Sequence, residues 1–199
     1  MHPAQRITAL RNPGSISFEQ YLAREERALE KHEFYNGRTK RMPGGTLEHN
    51  LIASNFTSLL KSAVRPLSTK YFVLNSDQKI YIETARTAVY PDALVICEKP
   101  IFWNDRRDLI VNPLVVVEIL SRTTSRYDRG DKFLLYQQLP SFREYVLVEQ
   151  DRPEIEIWFR EEENLWRKTV YNGLEVRAYL RSLEIPVLLS EVYENVSWS

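Results

Sequence analysis

The chain has 199 residues, 43% hydrophobic and 27% charged, which fits one globular domain with a full-sized core. Its 27 basic and 27 acidic residues cancel, so a globally basic coat is excluded and any nucleic-acid surface must be a local patch. The single cysteine, Cys97, excludes an intramolecular disulfide, the histidines 2, 32 and 49 have no zinc-site spacing, and no apolar run approaches the ~20 residues of a membrane span.

Residues 1–16 contain Pro3, Pro13 and Gly14 and are expected to be a loosely ordered tail, with a single domain over 17–199. Ser17 and Gln20 make a capping box, which predicts a helix over 18–31 with Phe18, Tyr21, Leu22 and Leu29 as its apolar stripe. Asn36-Gly37, between Glu33-Phe34-Tyr35 and 38–42, is a type I′ hairpin signal. Thr46 is a good N-cap for a long helix over 47–64, where Leu47, Leu51, Ile52, Phe56, Leu59, Leu60 and Ala63 recur at helical spacing. Strands are predicted at 71–74, 79–83 and 88–97, a surface loop at 98–112, and a strand at 114–120. Asp128 is placed to cap a helix ending before Pro140. Strands at 144–149, 154–159, 165–171 and 183–188 follow, and Ser190 is placed to cap a last short helix. This order predicts an α/β fold with a mixed central sheet flanked by helices and a β-hairpin at each end.

Two of these strands carry carboxylates beside apolar runs. Asp92 precedes Ala93-Leu94-Val95-Ile96-Cys97, and Glu118 interrupts Leu114-Val115-Val116-Val117 before Ile119-Leu120. A carboxylate in a strand buried on both faces costs several kcal/mol (about 2–7 for a polar group) unless it has a partner. A pair of them suits Mg²⁺, a hard cation held by carboxylates, water and substrate phosphate. Lys132 lies on the helix returning after the Glu118 strand and shares a helix face with Tyr136.

These residues resemble a known pattern. Glu33-Phe34-Tyr35-Asn36-Gly37, Met42-Pro43, His49, Ser76-Asp77, Pro91-Asp92, Val117-Glu118-Ile119-Leu120-Ser121, Tyr127-Asp128-Arg129-Gly130-Asp131-Lys132 and Glu144-Tyr145-Val146-Leu147-Val148 are similar to the Uma-two family of endonucleases. That family lies within the PD-(D/E)XK, or restriction-endonuclease-like, nuclease superfamily. The resemblance spans about residues 15–195 and implies a restriction-endonuclease-like core. It implies metal binding (Mg²⁺ or Mn²⁺) by Asp92 and Glu118 with the backbone carbonyl of Ile119, and hydrolysis of DNA phosphodiester bonds. The superfamily lysine, two residues after the glutamate, is replaced here by Leu120; the family pattern supplies Lys132 instead.

Each candidate has a plainer reading. Glu118 could be a buried ion-pair partner, for example of an arginine in 122–129, Asp92 a strand-start turn residue, and Lys132 part of the solvated face of a helix. Glu33 is read either as a further acidic ligand or base, or as a surface residue. His49 is read as a local cap or surface histidine, and Asp77 as a turn residue. Arg122, Arg126, Arg129 and Lys132 form either a phosphate-contacting cluster or a solvated loop. The aromatic residues Trp158, Phe159, Trp166 and Tyr171 either complete the core or seat a second copy in a homodimer. With no signal-peptide pattern, the cytoplasm is the expected compartment. The rival to an enzyme is a catalytically silent nucleic-acid-binding or oligomeric scaffold of the same fold.

Overall fold

The computed structural model describes residues 14–198. Most of the expected tail, residues 1–13, lies outside the described residues. Within its described end, the Ile16 N–H donates to the Gly37 carbonyl at 2.9 Å, and the Ile16 side chain packs on an aromatic cluster.

Helix α1 (Phe18–Glu25) starts with the predicted capping box: the Ser17 hydroxyl and the Gln20 side chain each accept from the other's backbone N–H. It ends at Glu25 rather than near 31, and Leu29 is fully exposed. Residues 24–31 hold only Ala28 and Leu29 among charged side chains, so they have no apolar face to bury. Strands β1 (His32–Tyr35) and β2 (Arg38–Arg41) form the predicted hairpin. Asn36 and Gly37 have φ of 43° and 98°, the positive pair a type I′ turn needs. Helix α2 (Leu47–Val64) is capped by Thr46, which accepts from the His49 N–H at 3.3 Å. Ile52, Phe56, Leu60 and Val64 are its buried residues, one per turn.

The next strands are β3 (Tyr71–Asn75), β4 (Lys79–Ile82), β5 (Thr87–Val89) and β6 (Ala93–Cys97). The single strand expected over 88–97 is therefore two. Pro91 has no N–H for a ladder, and at Tyr90-Pro91-Asp92 the chain leaves one sheet and enters another. The segment expected as a loop contributes a short strand, β7 (Leu109–Ile110), parallel to β4. Strand β8 (Val115–Leu120) then crosses over to its parallel partner β9 (Glu144–Glu149) through α3 (Ser125–Tyr127), a π-helical turn over Asp128–Lys132, and α4 (Phe133–Tyr136). Asp128 is not the expected N-cap. Helical structure begins three residues earlier, and Asp128 is buried inside it with αR backbone. Strands β10 (Glu154–Glu162) and β11 (Leu165–Asn172) form the predicted hairpin, and β12 (Arg177–Leu180) pairs with β13 (Ile185–Leu188). Helix α5 (Leu189–Val192) starts before Ser190 and has no side-chain cap.

A six-stranded mixed sheet has the order β11-β10-β9-β8-β6-β3, and a five-stranded sheet the order β2-β1-β5-β4-β7. The apolar run of β8 divides by the two-residue period of a strand. Val115, Val117 and Ile119 pack in the cluster of α2, and Val116 and Leu120 in the cluster of Tyr136, Phe142 and Tyr145. Glu118 shares the second parity. Trp158 and Trp166 lie with ring centroids 5.4 and 5.0 Å from Phe133, so these rings join the chain's own core. No described helix is long and apolar enough to cross a membrane.

The α2 interface sets a stability scale. Phe56→Ala, at 1% exposure, is expected to cost about 3–5 kcal/mol, and Thr46→Ala, which removes one cap bond, about 1 kcal/mol. Urea unfolding of both variants checks this order; equal losses would contradict the packing described.

Candidate active site

A cleft of about 570 Å³ opens where the two sheets meet, lined among others by Glu33, His49, Asp92, Glu118, Asp128 and Lys132. Its acids come from separate segments. Glu33 is on β1, Asp92 immediately precedes β6, Glu118 is on β8, and Asp128 is in the π-helical turn.

Asp92 is held on three sides. Its N–H donates to the Val117 carbonyl at 3.1 Å, its Oδ2 accepts the Ile119 N–H at 2.7 Å, and its Oδ1 lies 3.0 Å from His49 Nε2. The antiparallel register pairs Ala93 with Val117, so one step outward Asp92 stands beside Glu118. Glu118, only 4% exposed, is met at Oε1 by the Lys132 ammonium at 2.7 Å and by the Tyr136 hydroxyl, which donates at 2.8 Å. Both engage the same oxygen, Oε1.

Lys132 is the hub of the group. Besides Glu118, its Nζ lies 3.6 Å from Glu33 and 3.9 Å from Asp128, and donates to the Tyr90 carbonyl at 3.4 Å. The alternative reading of Lys132 as part of a solvated helix face is overturned, because Lys132 is 4% exposed. The π-helical turn accounts for this: it adds a residue to one turn and rotates both Asp128 and Lys132 inward. The Tyr145 hydroxyl donates to the Asp128 carbonyl at 3.0 Å and fastens that turn to β9. Glu33 is also buried, accepting the Tyr90 N–H at 3.2 Å and the Tyr35 hydroxyl, which in turn accepts from the Tyr127 hydroxyl at 2.7 Å.

Burial pushes Glu118 well above the ordinary carboxylate range, against the pull of Lys132. Burial likewise raises Asp128. Burial alone would lower Lys132, but the charges of Glu118, Glu33 and Asp128 outweigh it and hold its proton well above the usual lysine value. Burial also opposes the His49 charge, and the Asp92 hydrogen bond and charge overcome it, raising His49. Burial raises the two acids, and the surrounding carboxylates raise Lys132 and His49 against burial, so the cluster retains protons.

The structure brings together Asp92, Glu118, Lys132, Glu33 and His49, and leaves out Asp77, an exposed turn residue paired with Lys31 at 2.6 Å. His49 is thus a cleft residue bonded to Asp92 rather than a local cap. Glu118 does have a buried ion-pair partner, and it is Lys132 rather than an arginine of 122–129. The expected cationic cluster also disperses. Arg122 pairs with Asp151 at 3.0 Å, Arg129 with Glu149 at 2.6 Å and Glu156 at 3.6 Å, and Lys132 is buried. Sequence reasoning missed the ligating environment of Asp128, although its i, i+4 spacing to Lys132 was a signal, and the hydroxyl chain of Tyr35 and Tyr127.

Among the described residues no group of three or more His, Cys, Asp or Glu side chains is arranged to hold a metal. A Mg²⁺ site does not require one, since one or two carboxylates with water and substrate phosphate suffice. Asp92 and Glu118 offer carboxylate oxygens. The N–H and C=O of a strand residue face the same side, so the Ile119 carbonyl faces the end of β6 as its N–H does. This all-oxygen set fits a hard divalent cation.

A family model described as "Uma2: Putative restriction endonuclease" matches residues 18–188. Two proteins of Synechocystis sp. (strain ATCC 27184 / PCC 6803 / Kazusa), both called uncharacterized, are 31% identical to this chain. For slr1290 the match runs over 185 residues, 92% of this chain and 94% of that protein; for sll1609 it runs over 158, or 79% and 88%. The fold is similar to that of a crystal structure from Anabaena variabilis ATCC 29413, described as a putative nuclease belonging to DUF820. The TM-score is 0.70 at 15% identity, covering 89% of this chain and 97% of the other.

The charge count predicts unequal losses. In metal-free buffer at neutral pH, Lys132→Met leaves three buried acids unneutralised and should cost about 3–5 kcal/mol. Glu118→Gln leaves Lys132 two carboxylates and should change stability by less than about 2 kcal/mol. The pH dependence follows from raised folded-state pKa values: the folded protein binds more protons, so the contribution of Glu118 and Asp128 is full below the unfolded carboxylate range and is lost as pH rises. Glu118→Gln should therefore gain on wild type between about pH 5 and 8. Urea unfolding across that range checks both; a larger loss for Glu118→Gln than for Lys132→Met would make Glu118 a structural ion-pair residue.

Proposed function

This chain belongs to the Uma2 family, and from that premise we propose that it is a Mg²⁺- or Mn²⁺-dependent nuclease hydrolysing DNA phosphodiester bonds in the cleft where its sheets meet. The observation that carries the reading is the convergence of Asp92 and Glu118 with a protonated, buried Lys132. A buried acidic cluster with this excess of carboxylates is costly to a fold and is kept where a cation uses it.

Asp92 and Glu118 would hold the ion, with the Ile119 carbonyl as a third oxygen donor. Bound there, a divalent cation supplies a water of lowered pKa and neutralises charge on the phosphate. Lys132 keeps its proton, so its task is to stabilise negative charge on the phosphoryl oxygens rather than to act as a base. Glu33 positions Lys132 from β1. His49 and the Ile119 N–H fix the Asp92 carboxylate, so its orientation is set before substrate arrives. Gly45 guards that arrangement: a Cβ there would stand 2.7 Å from His49 Cδ2. The cytoplasm, which holds both DNA and Mg²⁺, is the setting this reading implies.

Plasmid nicking with Mg²⁺ or Mn²⁺ tests the proposal. Asp92→Asn and Glu118→Gln should each lower the cleavage rate by about 10²-fold or more while remaining folded. Gly45→Ala should lower it by about tenfold, through displaced His49, with little change in melting temperature. A folded wild type that cleaves neither DNA nor RNA with either metal would favour the non-catalytic scaffold.

A further inference from the structure

Of the four cations expected to meet the substrate, Arg122 and Arg129 are paired with acids and Lys132 is buried, whereas Arg126 is exposed. Strand β2 is an outer strand of the five-stranded sheet, and all four of its residues, Arg38-Thr39-Lys40-Arg41, are exposed. Its register with β1 pairs Lys40 with Glu33 and Arg38 with Tyr35. Cross-strand partners share a face, so Lys40 and Arg38 stand on the face of Glu33, which lines the cleft. Lys40 lines the cleft, and its Nζ lies 4.8 Å from the Tyr127 ring centroid. Arg126, the chain neighbour of Tyr127, is exposed. Glu30, which also lines the cleft, is already matched by Arg41. Among the described residues Arg38, Lys40 and Arg126 have no ion-pair partner, so the rim is positive above an acidic floor.

We propose that the outer strand β2, through Arg38 and Lys40, is the surface that grips the phosphate backbone of a nucleic-acid strand and lays it across the cleft. This rests on the nuclease reading and adds where the substrate binds. The arrangement resolves a conflict in that reading, because the carboxylates of the floor repel a polyanion until a cation is bound. Binding must then come from charges outside the floor, and the rim supplies them within reach of it. Tyr127 links the two: it carries Lys40 on its ring and reaches Glu33 through the Tyr35 hydroxyl. Lysine and arginine on an outer strand also serve to prevent edge-to-edge aggregation. That role needs no particular face, whereas here the two unpaired cations share the face of Glu33.

The test is fluorescence-anisotropy binding of labelled single-stranded and duplex DNA in EDTA, over a salt series, so that no cleavage intervenes. Arg38→Ala/Lys40→Ala should weaken binding about tenfold and reduce the slope of log K against log salt by about 1.5–2. Lys40→Arg should keep the wild-type slope. Lys61→Ala/Lys70→Ala, which alters a basic cluster around the far end of α2, should leave both quantities unchanged. Equal losses from the two double variants, or an Arg38→Ala/Lys40→Ala protein that aggregates but binds DNA as wild type does, would overturn the proposed rim and leave the nuclease reading standing. Wild type that binds neither DNA form in EDTA while cleaving plasmid with metal would also overturn the rim alone. Wild type that neither binds nor cleaves would remove the nuclease reading and the rim with it.

Discussion

The architecture of this site depends on one buried ammonium. Lys132 lies within 4 Å of Glu118, Glu33 and Asp128, which belong to two different sheets and to its own helix. Burial raises the pKa of both Glu118 and Asp128, and the charge of Lys132 opposes that rise. Replacing such a buried ionic group with apolar residues is often neutral or stabilising, so its retention is weak evidence for stability. Under the proposed nuclease reading, it is the cost of keeping an acidic floor ready for a cation.

The junction Tyr90-Pro91-Asp92 makes this geometry possible. Tyr90 gives its N–H to Glu33 and its carbonyl to Lys132, while Asp92 gives its N–H to Val117 and its carboxylate to Ile119 and His49. The segment that carries the chain from one sheet to the other therefore binds the acid of the first sheet, the lysine of the crossover helix and the backbone next to Glu118. Movement between the sheets would disturb every member of the site together. Preorganisation here comes from tertiary structure rather than from a single rigid element.

Much of this was legible in the sequence, for identifiable reasons. Glu118 stood out because an acid in an apolar strand run demands a partner, and the hairpin and the long helix had unambiguous turn and cap residues. What was not legible depended on through-space neighbours. Asp128 looked like a helix cap because its sequence gives no sign of the π-helical turn that buries it. Glu33 and His49 were ambiguous because their partners are 99 and 43 residues away: Glu33 to Lys132, and His49 to Asp92. Arg126 and Arg129 could not be told apart by spacing, since only the acids of β9 and β10 decide which is paired. The division of 88–97 between two sheets was hinted at by Pro91, yet the same proline is compatible with the start of one longer strand.

The central claim is that Asp92 and Glu118 share one divalent cation. Anomalous scattering from crystals grown with Mn²⁺ tests it most directly. The account predicts a single strong peak in the cleft, in contact with a carboxylate oxygen of each residue at about 2.0–2.3 Å, and no such peak in Asp92→Asn. A peak bound elsewhere, or a cleft that stays metal-free at saturating Mn²⁺ with Lys132 still seated on Glu118, would contradict it.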